Sequence, residues 1–234
     1  MSLLDIVIAA ILGLFVLAGV YKGFVYTAID ILFYIICAVF ALLLMPMVSG
    51  HVEKNETVYN AMLYYTEGSE NIKDVEYRKK NITEISNAEL EEIYMSSDAA
   101  YPMDERIRTN VEDAAFAANG VTSLGDYFNT TMVIVTINIT VFMGLFIVMR
   151  AILGFVIGWW NYAKPLPVLK KFDLPAAIGA GFIRGVLAVF LIFMLCPIVL
   201  TVLPFDVVSD LVEKSKLASF FYYSNFLLRL IPGV

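Results

Sequence analysis

Three ionisable residues stand where ionisable residues are expensive. Asp30, Arg150 and Arg184 each interrupt a long apolar run. At about 1.5 Å of helical rise per residue, they lie roughly 10–15 Å inside those runs, in one layer. A single charge facing lipid costs about 2.5–3.5 kcal/mol on insertion scales. Three facing outward would rival the net stability of a domain. The cheaper arrangement turns all three inward and pairs Asp30 with Arg150 or with Arg184. Two arginines and one aspartate leave one positive charge, which suits an anion or a lipid head group. In the competing arrangement the arginines reach the membrane surface along their apolar stems, and Asp30 only holds the bundle together.

No second constellation of this kind is visible. His51 is the only histidine, which excludes a histidine-based metal cluster by count. Cys37 and Cys196 each sit inside an apolar run, where free cysteine behaves as a small hydrophobe. The glycines at Gly179 and Gly181 fail the dinucleotide-binding spacing, and there is no phosphate-binding loop, HExxH, CxxC or GxSxG. The expectation is a protein that is not an enzyme, with no catalytic residue, no cofactor and no metal. Asn55, Asn81 and Asn129 each open an Asn-x-Ser/Thr triplet, read as chance occurrences.

The elements that must position the three charges are membrane helices. Sixty per cent of the 234 residues are apolar and 16% charged, against about 45–50% and about 25% in soluble domains. A membrane helix needs roughly 20 mainly apolar residues. Four stretches qualify: Leu3–Val20, Phe24–Val48, Met132–Trp160 and Ala176–Leu203. The first has only Asp5 before its apolar run and Lys22 after it, so it reads as a span rather than a cleaved signal peptide.

The fold class expected is an all-α integral membrane protein in four segments. Residues 1–48 hold the first two spans and 49–130 an acidic helical insert. Residues 131–204 hold the last two spans and 205–234 an amphipathic tail. Between Gly50 and Asn129 lie 16 of the 22 acids and seven of the 16 bases, so this segment carries −9 and the rest +3. The acidic balance argues against a nucleic-acid partner. Within the insert, Glu56–Tyr65, Asn87–Met95 and Pro102–Asn119 read as helices, the second capped near Ser86 or Asn87. In the tail, Val207, Val208, Leu211 and Val212 share one helical face. Phe220, Phe221, Tyr222, Tyr223 and Phe226 suit the membrane surface, which predicts one or two interfacial helices and no fifth span. Lys22 in the first short loop, and Lys164, Lys170 and Lys171 in the third, place those loops in the cytoplasm. The insert and both termini then face outward.

Glycines four residues apart recur in the same layer as the charges: Gly19 with Gly23, Gly154 with Gly158, and Gly181 with Gly185. Such pairs let helix backbones approach closely.

The order of these features resembles the colicin V production protein (CvpA) family of bacterial inner-membrane proteins. The residues that carry the resemblance are Asp5 at the start of span one, the Lys22-Gly23-Phe24 turn, Phe155-Val156-Ile157-Gly158, and Asp173 ahead of Gly181-x-x-Arg184-Gly185. They cover roughly residues 1–47 and 132–203. Three departures stand out. Tyr26-Thr27 occupies the place of a family acid, for which Asp30 would substitute. Leu174-Pro175 follows Asp173 where the family has Arg. The loop after span two is far longer than the family's.

The resemblance implies a multi-pass protein of the bacterial inner membrane linked to colicin V production, toxin export or envelope homeostasis. It supplies no catalytic residue. Two functions are then expected. One is a channel- or transporter-like component with an inner polar site at Asp30, Arg150 and Arg184. The other is a scaffold that recruits envelope partners through its insert. The partners expected are the lipid bilayer and either a second copy or another envelope protein.

Overall fold

The computed structural model describes residues 2–158, 173–203 and 205–234. The three lysines whose loop was expected in the cytoplasm, Lys164, Lys170 and Lys171, and the Trp160 end expected for the third span lie outside the described residues. In chain order the helices are α1 (Leu3–Lys22), α2 (Phe24–Glu53), α3 (Glu56–Thr66), α4 (Val75–Lys79), α5 (Asn87–Ser96) and α6 (Met103–Glu112). Then come α7 (Leu124–Gly158), α8 (Asp173–Phe193), α9 (Cys196–Val202), α10 (Phe205–Glu213), α11 (Lys216–Tyr223) and α12 (Phe226–Arg229). Among the described residues the sole β feature is an isolated bridge between Asn81 and Ser123.

Four helical stretches are long and apolar enough to cross a membrane: Leu3–Lys22, Phe24–Glu53, Leu124–Phe155 and Asp173–Val202. On the first two, burial is inverted relative to a water-soluble protein. On α1 the buried residues are Asp5, Ile8 and Gly19, whereas Leu3, Ile6, Leu14 and Leu17 are exposed. On α2 Thr27 and Asp30 are buried while Leu32, Ile35, Val39 and Leu43 are exposed. Water would penalise so large an apolar surface, and lipid does not. The chain is an all-helical membrane protein.

The span ends differ from the sequence reading for identifiable reasons. The second helix runs on through Pro46 to Glu53, and the third starts at Leu124, because polar residues flanking an apolar run can continue a helix into water. The fourth breaks after Phe193 and resumes at Cys196. Pro197 has no N–H to donate and its ring crowds the preceding turn.

The helix expected over Pro102–Asn119 ends instead at Glu112. Ala114 adopts a left-handed conformation at φ 48. Its N–H bonds to the Val111 carbonyl, and the Ala115 N–H to the Asn110 carbonyl. This is the paired-bond helix stop that normally carries glycine. Because an alanine occupies that position, the stop is invisible to a reading that looks for glycine and finds it only at Gly120. Helix α5 matches its expectation closely: Ser86 and Glu89 form a reciprocal capping box.

The chain divides into two compact units. One comprises Met1–Met45, Phe142–Met194 and Asp210–Leu227. The other comprises Pro46–Val141, Leu195–Ser209 and Leu228–Val234. In the first, α1 packs along α8, and α11 packs on both. In the second, Ile72, Met103, Ile107, Leu124, Tyr127 and Phe128 form a fully buried core.

The tail, expected as one or two helices, forms three short ones. Phe221 and Tyr222 of α11 are buried in the first unit. Asn225 Nδ2 donates to the Phe190 carbonyl at 2.8 Å. The last residues belong to the second unit. Arg106, Asn110 and Asn138 donate there to the backbone carbonyls of Arg229, Gly233 and Pro232 respectively.

Candidate functional site

The first unit is assembled around a seam of glycine. A Cβ added to Gly19 would lie 2.7 Å from the Ala177 carbonyl oxygen and 2.9 Å from the Gly181 Cα. One added to Gly181 would meet Phe15 and Val16 backbone at 2.8 and 2.9 Å, and one on Gly185 would press the Phe15 side chain. Gly19 and Gly181 bring α1 and α8 to backbone contact, and Gly185 leaves room for the Phe15 side chain.

The other three expected packing glycines behave differently. Gly23 ends α1 with φ 84, a backbone that non-glycine residues rarely adopt. Gly154 is exposed, and a Cβ there would meet only the Arg150 guanidinium, at 3.9 Å, so it makes no helix crossing among the described residues. Its neighbour one turn on, Gly158, has surroundings that lie outside the described residues.

The turn after α1 is tied to the start of α8. Asp173 Oδ1 accepts from the Phe24 N–H at 3.3 Å, and Gly23 sits beside the same carboxylate. Lys22 is exposed and lies over the Tyr26 ring at 4.6 Å. Gly23, Phe24 and Asp173, distant in sequence, are thus brought together in one corner.

With the two helices held at that corner and along the seam, Asp30 and Arg184 face each other. Arg184 Nη1 donates to Asp30 Oδ2 at 2.8 Å. Arg150 Nη2 donates to the other oxygen, Oδ1. The sequence left a choice between the two arginines; the carboxylate bridges both. Asp30 and Arg184 side chains are 10% and 7% exposed, and Arg150 is 28% exposed. Arg184 also stacks on the Phe15 ring at 4.9 Å, and Arg150 on Tyr34 at 5.1 Å. Guanidinium planes favour such aromatic faces. The arginines are therefore held inward by the carboxylate and by rings, not extended to the surface. The group carries a net charge of +1, and the buried Nε of Arg184 has no hydrogen-bond partner among the described residues.

Asp5 has a role that its sequence position did not disclose. Its Oδ2 accepts from the Ser2 N–H at 2.8 Å, closing a capping box at the start of α1. Its Oδ1 accepts from the Ser215 hydroxyl at 2.7 Å and from the Leu217 N–H at 3.0 Å. Asp5 therefore anchors the start of α11. Ser215 also caps α11 by accepting from the Ala218 N–H at 3.0 Å, a local contact that names no distant partner.

No family model, no curated protein and no solved structure matches the chain.

Proposed function

We propose that this chain is a bacterial inner-membrane protein of the colicin V production type. In this reading it acts without catalysis, as a channel- or transporter-like component for anions. Its inner polar site is Asp30, Arg150 and Arg184. The observation that carries the reading is a carboxylate shared by two guanidinium groups. Sharing leaves one positive charge unbalanced and one buried N–H of Arg184 unmet. A buried donor without an acceptor is costly, and an anion supplies both the charge and the acceptor. Intramembrane charges facing a bundle interior commonly mark ion paths. The acidic insert and both termini then face outward, with Lys22 on the cytoplasmic side.

The test is anion efflux from proteoliposomes holding the purified chain. Wild-type protein is expected to release chloride or phosphate faster than empty vesicles. Arg184→Gln is expected to abolish release while circular dichroism and size-exclusion profiles stay those of a folded protein. Wild-type release no faster than empty vesicles removes the reading.

A second reading rests on a separate observation. The insert belongs to a unit with its own buried core, and its charge is −9. This suits a scaffold that recruits an envelope partner or a second copy. Removing residues 55–125 would then erase the cellular phenotype while the four spans still insert. A phenotype that persists excludes it.

A further inference from the structure

A cavity of about 580 Å³ opens within the second unit, walled by the end of α2, the start of α7 and the 116–121 segment, with Tyr59 of α3. Its lining changes character with depth. On α2, Pro46 and Met47 lie within the apolar run that ends at Val48, while His51 and Glu53, with Lys54 just past the helix, lie one to two turns beyond it. On α7 the order is mirrored: Thr130 precedes the apolar run that starts at Met132, and Ile134 lies inside it. Both walls therefore pass from polar to apolar along their length, as membrane-spanning helices do where they leave hydrocarbon. Phe116 and Val121 of the insert add apolar surface on the polar side.

The charged rim is not used within the protein. Glu53 and Lys54 make no ion pair or side-chain hydrogen bond among the described residues. His51 Nδ1 is spent on the Met47 carbonyl at 2.7 Å, which holds the ring against its own helix. A cleft with an apolar end, another end bearing adjacent opposite charges and a position across the membrane surface calls for an amphiphile with a zwitterionic head. The volume is in the range of small-molecule sites, about 300–1,000 Å³. That admits a head group and the upper part of one acyl chain, with the remaining chain in the bilayer.

We infer that this cleft binds one aminophospholipid of the phosphatidylethanolamine class. Lys54 takes the phosphate and Glu53 takes the ammonium. Pro46, Met47 and Ile134 receive the start of an acyl chain. The site is independent of the ionic triad.

The test is native mass spectrometry of the full chain released from nanodiscs containing equal parts phosphatidylethanolamine, phosphatidylglycerol and phosphatidylcholine. The expected result is one retained phosphatidylethanolamine per chain, enriched about five-fold over either competitor, as an interaction near 1 kcal/mol gives. Ile134→Trp fills the cleft and removes the retained lipid. Because Ile134 is nearly buried and that variant can misfold, two rim variants carry the decision. Glu53→Gln abolishes the preference for phosphatidylethanolamine over phosphatidylglycerol, and Lys54→Ala lowers retention of both. Equal retention of the three lipids by wild type overturns the assignment. So does a phosphatidylethanolamine preference that survives both rim substitutions.

Discussion

Gly19 and Gly181 face each other so closely that a methyl group on Gly19 would rest 2.9 Å from the Gly181 Cα. Two helices of the first unit owe their spacing to the lack of a side chain at this point. In lipid, where apolar surface gives helices little reason to leave the solvent, such backbone contact is a main source of association.

Gly181→Val is therefore expected to separate α1 from α8 and to destabilise the chain by about 1–3 kcal/mol, the usual range for overpacking. Gly13→Ala serves as the control, since nothing lies within 4 Å of a Cβ there. Thermal unfolding in mild detergent measures both. Equal effects from the two substitutions would refute the seam.

Replacing Asp30 by Asn leaves two guanidinium groups without their counter-charge. Breaking a buried ionic group by removing one partner costs about 3–5 kcal/mol. Arg184→Ala is expected to cost more than Arg150→Ala, because the Arg184 side chain is 7% exposed and that of Arg150 28%. The more exposed arginine regains solvent more readily when its pairing is lost. Denaturant titrations of the three variants give the order, and a reversed order for the arginines contradicts the geometry.

Asp5→Ala removes the acceptor for both Ser215 and Leu217. Hydrogen bonds to a charged group contribute about 1.5–3 kcal/mol each, so α11 should loosen from α1 and α8. Hydrogen exchange over residues 215–223 is the measurement. It should accelerate in Asp5→Ala while the α1–α8 pair stays protected; unchanged exchange there would show that the aromatic packing of Phe221 alone holds the helix.

The start of α5 should respond to acid. The Ser86 hydroxyl and backbone N–H, with the Tyr77 hydroxyl, hold the Glu89 carboxyl at about 2, below its usual 4.5. A depressed folded-state value contributes stability that is complete above 4.5 and is lost as pH falls through about 2. Amide exchange at the first turn of α5 should therefore rise across that window. In Glu89→Gln, which keeps an acceptor but does not titrate, the rise should disappear. A rise that persists in that variant assigns the acid response to other groups.

The sequence disclosed what is periodic or costly. Four apolar runs gave four spans, and the expense of burying Asp30, Arg150 and Arg184 brought them together before any coordinates did. It was silent where the controlling contact is distant or the signal unconventional. Asp5 and Ser215 are 210 positions apart, and neither residue type names its partner. Ala114 stops α6 where only a glycine would have announced a stop. Gly181 and Gly154 each have a glycine four residues on, yet among the described residues Gly181 meets the backbone of Phe15 and Val16 while Gly154 meets only the Arg150 side chain. Spacing states that a close approach is permitted, and the neighbour decides whether it occurs.

Asn110 reaches forward 123 positions to take the Gly233 carbonyl, and Asn138 holds that of Pro232. Ile231 beside them is wholly enclosed. During synthesis the ribosome delivers the early parts of this unit long before the strand that seals it. The later part of α7 and all of α8, which belong to the first unit, must be made in between. The unit's interior therefore stays unfinished until residues 228–234 have been made. A fusion or bulky label placed at Gly233 should harm this region more than the same addition at Gly50, where a Cβ would meet nothing within 4 Å among the described residues.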